Sequence, residues 1–138
     1  MNTSRIITNI FRNKDDRGYI LSIADGKISN VSIIKCNRGS IRSNHYHKTD
    51  SHYMHVLSGE IDYFYKSLDD DKINYLKVKE GQNIFTPPLE IHATYFPFST
   101  TLIVSSENPR DKKTYEKDTI RVDFINNDNL HNLLERFI

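Results

Sequence analysis

Cysteine, glycine and net charge are all scarce in this sequence. Its 138 residues include one cysteine, Cys36, so no internal disulfide can staple the fold. The five glycines stand singly at apparent turns, and none belongs to a loop rich enough in glycine to cradle a phosphate. Formal net charge is +1, which leaves no basic field to attract nucleic acid or an anionic membrane. No apolar run approaches the ~20 residues that cross a bilayer. Met1-Asn2-Thr3-Ser4-Arg5 lacks the apolar stretch of a signal peptide. These absences together point to the cytoplasm.

What is present suits one soluble domain spanning residues 1–138, with 37% hydrophobic and 27% charged residues. Residues 1–18 carry short apolar pieces that end in the turn cluster Asn13-Lys14-Asp15-Asp16-Arg17-Gly18. Strands are expected over 19–24, 28–36, 52–57, 60–66, 73–78, 91–96, 101–106 and 119–124, with a short segment over 81–87. The breaks between them fall at Asp25-Gly26, Ser58-Gly59, Leu68-Asp69-Asp70-Asp71-Lys72, Pro87-Pro88 and Pro97-Phe98-Ser99. Residues 107–117 are polar and read as a loop. Leu130, Leu133, Leu134 and Phe137 recur at helical spacing after Asn127-Asp128, so one amphipathic helix is expected over about 128–138. Many short strands at this spacing predict an all-β sandwich or barrel closed by one C-terminal α-helix.

Three of the six histidines fall between Gly39 and His52. His45 and His47, two apart, point to the same face of a strand. By the same parity His52 looks inward with Met54 and Val56, while Tyr53, His55 and Leu57 look outward. His92 follows in a later strand. Each of these residues taken alone is compatible with a solvated or structural histidine. Several imidazoles on one interior face are costly unless they are paired or coordinated, and a divalent metal satisfies neutral imidazoles. His55 is expected on the outer face or in a subunit contact, and His131 in solvent.

The spacing Gly39-x5-His45-x-His47-x4-His52-x6-Gly59 resembles the first motif of the cupin family, with His52 at the position of its usual Glu. Gly81-x5-Pro87-Pro88-Leu89-Glu90-Ile91-His92 resembles the second motif, which ends at residue 96. There Leu89 stands at the usual Gly and Phe96 at the usual Asn. The resemblance implies a single jelly-roll barrel, or double-stranded β-helix, in which His45, His47, His52 and His92 converge on one metal. An all-nitrogen set tolerates zinc, iron, nickel or copper and disfavours harder ions.

Asn44-His45-Tyr46-His47-Lys48 and residues 106–122 are also similar to the cupins of nucleotide-sugar and capsular-polysaccharide enzymes. That similarity implies an epimerase or keto-isomerase acting on a sugar carried by a nucleoside diphosphate. On this view Tyr63 and Tyr65 move a proton and Arg42 binds the diphosphate. A metal-dependent dioxygenase and a non-catalytic sugar-binding cupin remain as alternatives. A homodimer is expected through the outward face of Tyr53, His55 and Leu57, with Arg5-Ile6-Ile7 adding a strand to the partner's sheet. The competing arrangement has the terminal helix covering that face within one chain.

Overall fold

The computed structural model describes residues 3–138. In chain order the strands are β1 (Arg5–Ile7), β2 (Ile10–Asp15), β3 (Gly18–Ser22), β4 (Asn30–Cys36), β5 (Ile41–His47) and β6 (His52–Ser58). They continue with β7 (Glu60–Ser67), β8 (Asn74–Lys79), β9 (Asn83–Thr86), β10 (Glu90–Tyr95) and β11 (Thr100–Ser106). Helix α1 (Lys112–Asp118), strand β12 (Thr119–Arg121) and helix α2 (Leu130–Phe137) complete the chain. Two five-stranded antiparallel sheets, ordered β1-β9-β6-β11-β4 and β12-β5-β10-β7-β8, face each other as a jelly roll. This is the all-β jelly-roll architecture expected from the strand spacing and the two histidine motifs.

Alternation sets the layers. Met54 and Val56 from β6, Ile61 and Tyr63 from β7, and Leu102 and Val104 from β11 point inward and form the core between the sheets. The opposite face of β7 and β10 supplies Phe64, Ile91 and Ala93 to a second cluster, which α2 covers with Leu133, Leu130, Leu134 and Phe137. The spacing of those four side chains puts them on one stripe of the helix. The helix therefore closes the second sheet, and the Tyr53–Leu57 face of the first sheet stays outside its reach.

Several sequence expectations change. Residues 107–117 are not all loop: α1 begins within them, because the Asp111 carboxylate accepts from Thr114 N–H and caps its first turn. The last strand stops at Arg121, since Val122 N–H and Ile125 N–H are taken by Asn44 instead of by the sheet. Helix α2 starts at Leu130, after Asn126 has used its side chain to accept from Asp128 and Asn129 N–H. Strand β3 pairs with β2 alone, in a separate two-stranded hairpin. Arg5–Ile7 pairs with β9 of its own chain. Gly59 turns the chain tightly at φ 91°, where an added Cβ would overlap Thr100.

Candidate active site

The second sheet presents the histidines through an irregularity in β5. Ser43 (φ 70°) and Asn44 (φ 56°) are consecutive left-handed residues, and the β5–β10 register shifts there. His92 lies opposite His45, yet Thr94 lies opposite Arg42. The extra residue is a β-bulge that flips parity. Arg42 and His45, three apart, therefore share the inner face, which strict alternation forbids. Asn44 holds the bulge: its side chain donates to Ile125 O at 2.9 Å and accepts from Ile125 N–H at 2.9 Å.

His45, His47, His52 and His92 are all buried. Ring centroids lie 4.6 Å apart for His45–His47, 4.7 Å for His45–His92 and 5.6 Å for His47–His52. His52–His92 and His47–His92 stand at 5.5 and 5.9 Å. Imidazoles bound to one ion through nitrogens at ~2.0–2.1 Å place their centroids about 4.5–5.2 Å apart, so this cluster is close to coordination size.

Hydrogen bonding turns the nitrogens the right way. His92 Nδ1 donates to Glu90 O at 3.3 Å, which leaves Nε2 as a bare lone pair. That Nε2 is the one fully buried side-chain nitrogen or oxygen without a partner among the described residues. Thr119 Oγ1 gives its proton to Tyr115 O and so accepts from His47 Nδ1 at 3.2 Å, with Asp118 Oδ2 3.7 Å from the same nitrogen. A histidine whose outer nitrogen is held by an acceptor presents the other nitrogen to a ligand or ion.

Electrostatics agree. Burial lowers His45 to about 2, helped by the neighbouring His92 and His47. Burial lowers His92 to about 3, and His52 well below its ordinary value. Burial also lowers His47, to about 4, with Asp118 pulling the other way. All four are neutral at pH 7, the state in which imidazole binds metal. Burial alone would raise the Asp118 carboxyl, but donation from Thr49 Oγ1 and from the Thr49 and Asp50 N–H groups outweighs it. Among the described residues two groups could hold an ion: His45, His47 and His92, and also His47, Asp50 and His52. Within each group the ligand atoms lie within 4.8 Å of one another.

The four histidines open into a cavity whose inner wall is apolar (Ile34, Met54, Phe96, Leu102, Val104) and whose other lining includes Arg42, Arg110 and Tyr115. Arg110 lies 5.0 Å over the Tyr115 ring. Tyr63 and Tyr65 lie outside this lining. Tyr63 is fully buried behind His92, with ring planes 7° apart and centroids at 6.1 Å, and its hydroxyl bonds Ser4 Oγ and Thr86 Oγ1 at 2.7 Å each. Burial pushes its hydroxyl pKa well above the ordinary phenol range. Tyr65 is half-buried beside it. His55 has outward parity but is buried, because its ring meets Asn83, which in turn donates to Asn9 and to Ile23 O of the same chain. His131 is exposed, with its Nε2 3.0 Å from Glu135 Oε1. Sequence reasoning gave no role to Arg110, Tyr115, Asp118 or Asp50. The first three lie in the polar stretch before β12, and no periodicity marks them.

Neither a protein-family model nor a curated protein matches the sequence. Solved structures do. A QdtA 3,4-ketoisomerase double mutant from Thermoanaerobacterium thermosaccharolyticum, in complex with TDP, is 22% identical, with 100% of this chain and 99% of that chain covered and a TM-score of 0.70. A 3,4-ketoisomerase from Helicobacter canadensis is 14% identical over 96% and 97% of the two chains, with a TM-score of 0.70. The capsular polysaccharide assembling protein CapF from Staphylococcus aureus is 21% identical, with a TM-score of 0.63. It is covered over 35% of its length by 85% of this chain. These likenesses establish the fold.

Proposed function

We propose that this chain is a keto-isomerase that moves a carbonyl between C4 and C3 of a sugar carried by a nucleoside diphosphate. The observation that carries it is the buried histidine cluster, with its unpartnered His92 Nε2, opening onto two arginines and a phenol in one cavity. Structural neighbours support the substrate class: QdtA has been crystallised with TDP, and a QdtA variant lacking one histidine with TDP-4-keto-6-deoxyglucose.

Carbonyl migration removes the proton at C3, passes through an enediol and returns a proton to C4, with no net redox change. Arg42 and Arg110 bind the diphosphate, since guanidinium groups match phosphate oxygens in pairs. The apolar wall excludes water from the ring. Tyr115 carries the proton at its hydroxyl, because it lines the cavity with its ring 5.7 Å from His47, whereas the Tyr63 hydroxyl is engaged elsewhere. His45, His47, His52 and His92 hold a divalent ion. When bound, it supplies Lewis-acid polarisation of the sugar carbonyl. A second reading rests on the Asp118 carboxylate beside His47 Nδ1: in metal-free protein His47, oriented by Asp118, takes the proton itself.

The test is to supply TDP-4-keto-6-deoxyglucose to metal-loaded and to chelator-treated protein and follow the carbonyl by NMR. Appearance of the 3-keto isomer with loaded protein alone is the expected result. Equal rates in both samples would select the His47–Asp118 reading. No carbonyl migration in either would overturn the keto-isomerase assignment.

We further infer that the chain is a single cupin domain that works as a cytoplasmic homodimer. The support is an apolar outer face on the first sheet, where Val31, Ile33 and Leu57 are exposed and α2 does not reach.

A further inference from the structure

We propose that Asp50 is a metal ligand that joins His47 and His52 in a set of two histidines and one carboxylate. This rests on the metal-binding reading above and names the group that sets its metal preference.

Asp50 lies in the turn between β5 and β6, two residues before His52, and is buried at 7% exposure. One donor reaches its carboxylate among the described residues, the Asn108 N–H at 2.9 Å on Oδ1. A buried carboxylate with one neutral donor is poorly compensated, and a cation is its natural partner. The turn is pinned from outside. Asp50 N–H donates to Asp118 Oδ2 at 3.0 Å, and Thr49 donates from both N–H and Oγ1 to Asp118 Oδ1. That clamp brings an Asp50 carboxylate oxygen and one nitrogen each of His47 and His52 within 4.8 Å of one another.

The chemistry follows from the donor set. Four neutral imidazoles leave a divalent ion its full charge and favour borderline metals. One carboxylate oxygen cancels part of that charge and admits harder ions such as manganese and iron(II). His52 stands where the cupin motif has Glu, so the carboxylate missing from the motif position returns from a neighbouring position in the turn. The set meets the three-histidine group at His47, which belongs to both. A hard ion then sits toward Asp50, and a borderline ion is served by nitrogen alone.

The experiment is Mn²⁺ and Zn²⁺ titration of metal-free wild type and Asp50→Asn, with manganese read by EPR and zinc by competition with a chromophoric chelator. The amide retains an acceptor for Asn108 N–H, and circular dichroism checks that it folds. The expected result is at least a tenfold loss of Mn²⁺ affinity with Zn²⁺ affinity nearly unchanged, since loss of even an outer-shell partner of a ligand costs about 10–100-fold. Wild-type crystals soaked in Mn²⁺ give a second measurement that does not depend on the variant folding, with anomalous density expected between His47, Asp50 and His52. Density away from Asp50, unchanged Mn²⁺ affinity in the variant, or no Mn²⁺ binding by wild type would each overturn the proposal. The function test is separate. Manganese on Asp50 in a protein that turns over no keto sugar would sustain the ligand and remove only the isomerase assignment.

Discussion

A neutral imidazole kept away from water links this cavity to pH. His45, His47 and His92 have folded values of about 2, 4 and 3, against an ordinary value of 6.5, and His52 is also well below it. On acidification the unfolded chain takes up these protons near 6.5, while the folded chain refuses them until far lower pH. Stability of the metal-free protein is therefore complete above 6.5 and falls as pH drops toward 4 and below. Each histidine contributes a slope of about 1.4 kcal/mol per pH unit inside its window. Asp50 titrates in the opposite sense: burial pushes it up to about 6, so between 3.8 and 6 it offsets roughly one of the four. Urea midpoints of chelated protein measured from about pH 8 to about pH 5 should fall steeply below 6.5, and His92→Gln should flatten that slope. A midpoint that stays level over the range would mean that the cavity accepts protons freely.

At the level of elements, the β5 bulge organises the site. Asn44 suits its left-handed backbone and ties it to Ile125 with two side-chain hydrogen bonds. Asn44→Ala loses both bonds and strains the turn, so a cost of about 2–4 kcal/mol is expected. Thermal melting checks the stability loss. Arg42 owes its inward direction to the same bulge, so TDP affinity in the surviving folded protein should also fall. Unchanged TDP binding would mean that Arg42 reaches the ligand without the bulge. The two helices differ in how they show in the sequence. Helix α2 is visible from its apolar stripe, whereas α1 is a polar heptapeptide, Lys112–Asp118, with no stripe at all. It forms because Asp111 caps it, and it delivers Tyr115 and Asp118 to the cavity region.

On the scale of the whole molecule, the two sheets are covered unequally. The second is closed by α2. The first leaves Val31 60%, Ile33 71% and Leu57 47% exposed, and the β2–β3 hairpin adds exposed Phe11 and Tyr19. A two-stranded hairpin gains little stability from its own pairing, so these surfaces favour a mate. No helix among the described residues is long and apolar enough to cross a membrane. Sedimentation at about micromolar concentration should give twice the chain mass, and Ile33→Lys should return it to the mass of one chain, since a lysine there would bury an unpaired charge. A wild-type monomer would overturn the dimer.

What the sequence determined by itself is what local geometry encodes. Period-two alternation put His45, His47, His52, Met54 and Val56 on one face. Glycines and prolines marked the turns, and the Leu130–Phe137 spacing marked the last helix. Those signals reach only a few residues along the chain, so they could place the histidines and the barrel strands. The tertiary structure decided the rest through contacts between distant segments: Asn44 with Ile125, 81 residues apart, and Thr49 with Asp118, 69 apart. The first turns Arg42 inward against its parity, and the second folds Asp50 toward the histidines. Tyr115 and Arg110 reach the cavity by the return of a polar segment that no periodicity announces. Side-chain alternation is a property of one strand, while a bulge or a clamped turn depends on what a remote part of the chain offers it, and folding alone brings the two together.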